Sequence, residues 1–355
     1  MDARFDHTPA EIQCTSCKKP GYPKVCAICK VAPALEGDAD VPRYCNTLCQ
    51  QADWNHHKKT CKKLRLRTQL YAATSLAQRI FYIYREITWA GMDVKEAKID
   101  GEKMILEVVN DTHAHEWKPL SSQLFLNPKD RLEVLNFRAC KEAVAWMVVC
   151  FHGLLNGTIK EIKKIVCEPK NPRRTITAGK YTTYNMDHEL FGVILRSGER
   201  FAIDISGAQY GYYEPVVRWE TYTSTRIEKI LSQNVCPVPT KKMFDLNDYS
   251  AEHIASQMES INAKFGHPER TFQFARFFET VNVLFLEWQN GEDCSLEAIW
   301  KLPEDESLRK QKLLVDFVDW RLNVMLRGKF FTVNGQRLVA EVKGIWEHER
   351  NKYHK

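Results

Sequence analysis

CTSCKKPGYPKVCAICKVAPALEGDADVPRYCNTLCQQADWNHHKKTC, residues 14–61, holds seven of the chain's twelve cysteines. Its spacing is C-x2-C-x8-C-x2-C-x15-C-x3-C-x7-H-x3-C. A gap of two residues lets both thiolates of a pair face one ion from a tight turn, and a gap of three puts them at i and i+4 on one helix face. The ligands on this reading are Cys14, Cys17, Cys26, Cys29, Cys45, Cys49, His57 and Cys61. His56 is out of phase with Cys61 and reads as a solvent-facing neighbour. Eight ligands make two closed four-coordinate sites with no position left for water, so the expected cofactors are two structural zinc ions. Spacing alone leaves open which pairs share an ion.

The remainder of the 355 residues, 44% of the chain being hydrophobic, suffices for one sizeable core, and two or three folded units are expected. Met1 to Gln13 lacks the apolar centre of a secretory leader, and no window reaches the roughly 18 apolar residues of a membrane span. The expectation is an intracellular chain, in cytoplasm or nucleus, with no membrane partner. In that setting clustered cysteines point to metal rather than disulfides. The formal charge is +6, and seven ligand thiolates with two dications bring it to about +3. That balance is too weak to favour nucleic acid as a partner. Lys58, Lys59, Lys62 and Lys63 read as a solvated, cationic helix end.

Beyond residue 61 the basic stretch Lys58 to Arg67 runs straight into the amphipathic pattern Leu70 to Thr88, without a floppy linker. The pattern then mixes types. A helix is expected near 68–88, a strand at Met104–Val109 after the Asp100-Gly101 turn, and a long helix within 129–155. Strands follow at Ile162–Cys167, His188–Leu195 and Arg200–Ile205. Past Pro239 the signals are helical, at Asp248–Ala263, Glu269–Trp288 and Leu308–Leu326. A hairpin of Phe330–Val333 and Arg337–Val342 is expected around Asn334-Gly335. The expected domains are 14–61, an α+β body at 68–235, and a mainly helical region with a terminal hairpin at 236–346.

The run Tyr44-Cys45-x3-Cys49-Gln50-x3-Trp54-x2-His57-x3-Cys61, preceded by two C-x2-C pairs, closely resembles the MYND-type zinc finger. The resemblance covers about one seventh of the chain. It implies an interleaved topology, with Cys14, Cys17, Cys45 and Cys49 on one zinc and Cys26, Cys29, His57 and Cys61 on the other. It also implies a groove for proline-containing peptide segments of partner proteins, at the positions matching Gln50 and Trp54. Helical spacing would put Gln50, Trp54, His57 and Cys61 on one stripe. Trp54 reads equally as a cover for the second zinc. The x15 gap is longer than the family usually shows, and Ala34, Gly37, Asp38 and Asp40 mark it as an exposed loop.

In the body, Arg138-Ala139-Cys140-Lys141-Glu142-Ala143 precedes an apolar helix, and His188 and Asp204 open and end later strands. This order resembles the core of the papain-like transglutaminase superfamily. The resemblance implies Cys140 as nucleophile, His188 as proton shuttle and Asp204 as the group that orients His188. The sequence departs from the family in having Arg138 where a glycine usually stands. Cys140, Val144, Met147 and Phe151 also share a helical face, as an ordinary buried cysteine would. Gly207-Ala208-Gln209-Tyr210-Gly211-Tyr212-Tyr213 reads as a pocket rim or as a plain surface loop. Larger proteins with this finger include SET-type methyltransferases, but their motifs are absent, as are a phosphate loop and a G-x-S-x-G elbow. The leading expectation is an adaptor that docks proline-containing segments through its finger. The alternative is a cysteine acyl-transferase or hydrolase, active or inactive, built on Cys140, His188 and Asp204.

Overall fold

The structure, a computed structural model, describes residues 12–21, 24–87, 89, 93–109, 120–236, 284–285 and 287–327. The cysteine-rich unit comprises β1 (Lys24–Val25), α1 (Ala27–Lys30), β2 (Arg43–Tyr44) and α2 (Thr47–Ala52), with β1 and β2 paired antiparallel. Then α3 (Trp54–Ile87) runs unbroken for 34 residues. Its buried positions His57, Cys61, Leu64, Arg67, Leu70, Ala73, Ala77 and Ile80 recur at three- and four-residue steps, which is one helical stripe. The expected boundary between residues 61 and 68 thus lies inside one helix. Lys58, Lys59, Lys62 and Lys63 consequently sit in its N-terminal third, not at the helix end the sequence suggested.

The body continues through β3 (Asp93–Asp100), β4 (Lys103–Val109), α4 (Pro128–Asn136), α5 (Cys140–Leu154), β5 (Ile159–Pro169), β6 (Thr175–Ala178) and β7 (Tyr181–Thr182). It ends with β8 (His188–Leu195), β9 (Arg200–Ile203), β10 (Val216–Arg218), α6 (Trp219–Arg226), β11 (Ile227–Val235) and α7 (Glu304–Arg327). One sheet has five strands in the order β10-β9-β8-β5-β11, each neighbouring pair antiparallel. The other has four in the order β3-β4-β6-β7, with β4 and β6 parallel. This is an α+β body behind a cysteine-rich unit.

The main core forms where α3 and α5 cover the larger sheet, through Leu70, Phe81, Met147, Phe151, Phe191 and Phe201. Leu284, Phe285, Trp288, Phe317 and Leu322, from the region beyond residue 236, sit in that same core. A second core joins α4 to the smaller sheet through Val134, Leu135, Met104, Leu106 and Ile176. The expected helix Leu308–Leu326 lies within α7. The expected helix Asp248–Ala263, most of Glu269–Trp288 and the hairpin at Asn334-Gly335 lie outside the described residues.

The long helix expected within 129–155 is instead two. Asn127 caps α4 by accepting from the Lys129 amide at 3.0 Å, with Pro128 in the first turn. The chain leaves α4 at Phe137, and Arg138 takes a left-handed φ of +60° before α5 begins at Cys140. Glycine adopts this conformation most readily, and an arginine here needs tertiary support. Gln209 supplies it by accepting the Arg138 amide hydrogen at 3.1 Å, and the guanidinium lies 3.8 Å from the Tyr181 ring centroid. Nothing local in Phe137-Arg138-Ala139 breaks a helix, so the periodicity read straight through it.

The loop between Cys29 and Cys45 is less exposed than expected. Leu35 packs on the main core, and Arg67, fully buried on α3, donates to the Pro33 carbonyl at 2.9 Å and to both carboxylate oxygens of Asp38. Arg67 also pairs with Glu199, in the turn between β8 and β9, while Lys63 lies 3.6 Å from that carboxylate. One guanidinium therefore ties loop, helix and sheet together. Replacing Arg67 by Ala should lower stability by about 3 kcal/mol, because two partly buried carboxylates lose their cation. Lys63→Ala, at a half-exposed position, should change it by no more than about 0.5 kcal/mol. Urea midpoints of the two variants check the contrast.

Candidate functional site

In the cysteine-rich unit the ligand atoms of Cys14, Cys17, Cys45 and Cys49 lie within 4.8 Å of one another, and so do those of Cys26, Cys29, His57 and Cys61. Each group could hold one metal ion. All twelve cysteines are free thiols. The grouping is interleaved, and local geometry explains it. Cys14 sits in a tight turn closed by Lys18 N–H to Cys14 O at 2.9 Å. Cys45 precedes α2, where the Asn46 side chain accepts from the Cys49 amide at 3.0 Å and fixes the first helical turn. Cys26 begins α1, and Cys29 ends its first turn. His57 and Cys61 are one turn apart on α3, with His57 Nε2 3.6 Å from Cys29 Sγ. Four thiolates, or three with an imidazole, repel one another at such spacing unless a cation lies between them. His56, by contrast, is 87% exposed beside Asp53.

The single stripe expected for Gln50, Trp54, His57 and Cys61 is interrupted. α2 ends at Ala52, and α3 restarts with the Asp53 carbonyl accepting from the His56 and His57 amides, each at 3.0 Å. Asp53 is held there by the Tyr44 hydroxyl, which donates to its carboxylate at 2.7 Å. Gln50 is half-buried on α2. Trp54 packs edge-on against His57, ring centroids 6.0 Å apart, yet is 46% exposed. Leu48, also on α2, is 73% exposed.

The second constellation lies in the body. Because Arg138 breaks the helical path, Cys140 is the first residue of α5, where backbone amides have no intrahelical acceptor and the helix dipole is positive. His188 opens β8 and Asp204 follows β9 directly. The register pairs Phe191 with Ile203, which makes Leu190 the residue opposite Asp204 and His188 its diagonal neighbour on the same face. The result is a hydrogen bond of 2.9 Å between His188 Nε2 and Asp204 Oδ2. Cys140 lies close enough to act on the His188 charge, and its thiol donates to the Asp187 carbonyl, next to His188, at 3.8 Å. The structure thus brings Cys140, His188 and Asp204 together, all three buried.

Burial alone would depress the His188 pKa, but the Asp204 charge and hydrogen bond, followed by Cys140, raise it to about 10. Burial alone would raise the Asp204 carboxyl. The His188 charge and hydrogen bond, with the Tyr222 hydroxyl, more than offset this and hold it below the usual range. At neutral pH the pair is imidazolium and carboxylate. Three supporting residues were not singled out in the sequence for the carboxylate they hold. Tyr222, on α6, donates to Asp204 Oδ2 at 2.7 Å, and Ser206 donates to Oδ1 at 3.4 Å. At Gly207 a Cβ would sit 2.7 Å from Asp204 Oδ2, so only glycine lets the backbone pass this close. The segment from Gly207 to Tyr212 is buried against the site, and so is neither pocket rim nor surface loop.

Two cavities among the described residues, of about 520 and 390 Å³, are lined by none of Cys140, His188 and Asp204. With Cys140 only 2% exposed, an acyl group reaches its sulfur only after neighbouring side chains move. No family model matches the chain, and no curated protein or solved structure matches it. Its assignment therefore rests on its own geometry.

A raised histidine pKa contributes stability that is complete below the ordinary value near 6.5 and is lost as pH rises through about 10. The lowered Asp204 value acts oppositely, its contribution vanishing as pH falls below the ordinary carboxyl range. The urea midpoint should therefore fall between about pH 7 and about pH 11. That fall should be clearly smaller in His188→Asn, which has no proton to lose.

Proposed function

We propose that this chain is a two-zinc finger protein whose α+β body performs cysteine acyl-transfer or hydrolytic chemistry of the transglutaminase-like type. The observation that carries this reading is the convergence of Cys140, at a helix N-terminus, with a His188 that is itself bonded to Asp204. A cysteine in that position can pair as thiolate with the imidazolium and attack an acyl carbon, while Asp204 fixes which ring nitrogen is presented. His188 Nε2 is committed to Asp204, so Nδ1 is the atom that serves Cys140. Burial pushes the Cys150, Cys167, Cys236 and Cys294 thiols up, which leaves them little thiolate. Iodoacetamide at about neutral pH should therefore modify Cys140 at least tenfold faster than those four. His188→Ala should remove that advantage. Peptide mass mapping reads both results, and uniform slow labelling would sink the enzyme reading.

Zinc fits both metal groups, since thiolate and imidazole donors in fours match its tetrahedral preference. Bound there, it would supply folding energy and leave no open position for chemistry. The finger would then serve to dock partners, and the exposed half of Trp54 favours this second reading. The ring meets His57 edge-on and its exposed part is left for an apolar, proline-containing peptide segment. Trp54→Ala should weaken capture of such a peptide by about tenfold or more while two zinc ions stay bound. Peptide titration together with metal analysis separates this from a purely structural role, in which zinc content would fall instead.

A further inference from the structure

Tyr210 lies in the buried turn after Asp204, and its ring meets His188 edge-on with centroids 4.9 Å apart at 80°. Its hydroxyl is buried without a hydrogen-bond partner, and so is His188 Nδ1. Two orphaned buried polar atoms at one site are costly unless a ligand group completes them. The ionisable group that acts most strongly on the Tyr210 hydroxyl is Cys140, ahead of Asp204 and Cys167.

Resting on the acyl-transfer reading above, we propose that Tyr210 is the oxyanion donor of this site, acting with the Cys140 amide at the N-terminus of α5. The substrate class it fits is an acyl group whose carbonyl oxygen points away from His188. In the first step Cys140 Sγ, its proton already held on the His188 imidazolium at Nδ1, bonds as thiolate to the acyl carbon. The carbonyl π pair moves onto oxygen, which accepts hydrogen bonds from the Tyr210 hydroxyl and the Cys140 amide. The pair then returns, the bond to the leaving group breaks, and that group departs with the Nδ1 proton, leaving a thioester on Cys140. A preorganised donor of this kind acts only on the tetrahedral species, so it serves acylation and not alkylation.

That difference sets the experiment. Full-length, zinc-loaded protein is treated with p-nitrophenyl acetate, whose attack passes through an oxyanion, and separately with iodoacetamide, whose displacement does not. Cys140→Ser supplies the background for both. Tyr210→Phe should slow the Cys140-dependent p-nitrophenolate burst by ~100-fold while leaving Cys140 alkylation within ~2-fold of wild type. An unchanged burst overturns the assignment. A parallel loss of burst and alkylation also overturns it, by making Tyr210 a packing residue. If wild-type protein shows neither reaction at Cys140, the acyl-transfer reading itself fails, and that outcome is distinct from both.

Discussion

The rigidity of one helix governs how the parts of this protein are placed. The 34 residues of α3 contribute His57 and Cys61 to a metal-ligand group in the first turns and then an apolar stripe to the main core. A continuous helix has no hinge between those tasks, because each added turn is held by its own ladder of hydrogen bonds. The finger is therefore carried by the body as a fixed extension, not as a tethered module. Arg67 reinforces this at the junction, where its guanidinium reaches the Cys29–Cys45 loop on one side and Glu199 on the other. A metal ion held by His57 and Cys61 would stabilise the same helix that the core packs, so the two would be thermodynamically linked through it.

The second constraint is the register of β8 against β9. A slip of one residue would turn His188 or Asp204 to the opposite face of the sheet, and the pairing of Phe191 with Ile203 excludes it. Gly198, at φ +88°, closes the turn that sets this register. On the facing element, the left-handed Arg138 places Cys140 at the start of α5 instead of about three turns along a continuous helix. Gln209 links the two constraints, since it supports Arg138 from the same buried turn that carries Tyr210.

Parts of this were legible in the residues alone. The spacing of eight ligands exposed the metal groups because coordination chemistry is local and permits few alternatives. The apolar runs His188–Leu195 and Arg200–Ile205 disclosed the strand that opens on the histidine and the one that leads to the aspartate, although the second ends at Ile203, just before Asp204. The break after α4 was invisible, since Phe137-Arg138-Ala139 is helix-compatible and the cause of the break lies seventy residues away at Gln209. The interruption at Asp53 was hidden for a similar reason, because Tyr44 enforces it from another element. Tyr222 and Gly207 were unreadable as partners of Asp204, for a phenol on a helix and a glycine in a turn have many ordinary roles.

The energetics of the body site bear on why such a site exists at all. Two buried charges lose hydration that their mutual attraction repays only with good geometry and further hydrogen bonds, and apolar residues of similar volume commonly do as well. Asp204 has that support, from Tyr222, Ser206 and His188. On the other side of the ring the support stops, and His188 Nδ1 and the Tyr210 hydroxyl stay without partners. A core arranged for stability alone would satisfy or replace these atoms, as most buried polar groups are satisfied. The imidazole is asymmetric, with Nε2 bonded to Asp204 and Nδ1 without a partner, and the proposed proton transfer would use that open nitrogen. Packing of α5 against β8 through Phe151 and Phe191, whose rings lie 5.4 Å apart in the main core, offsets part of that cost.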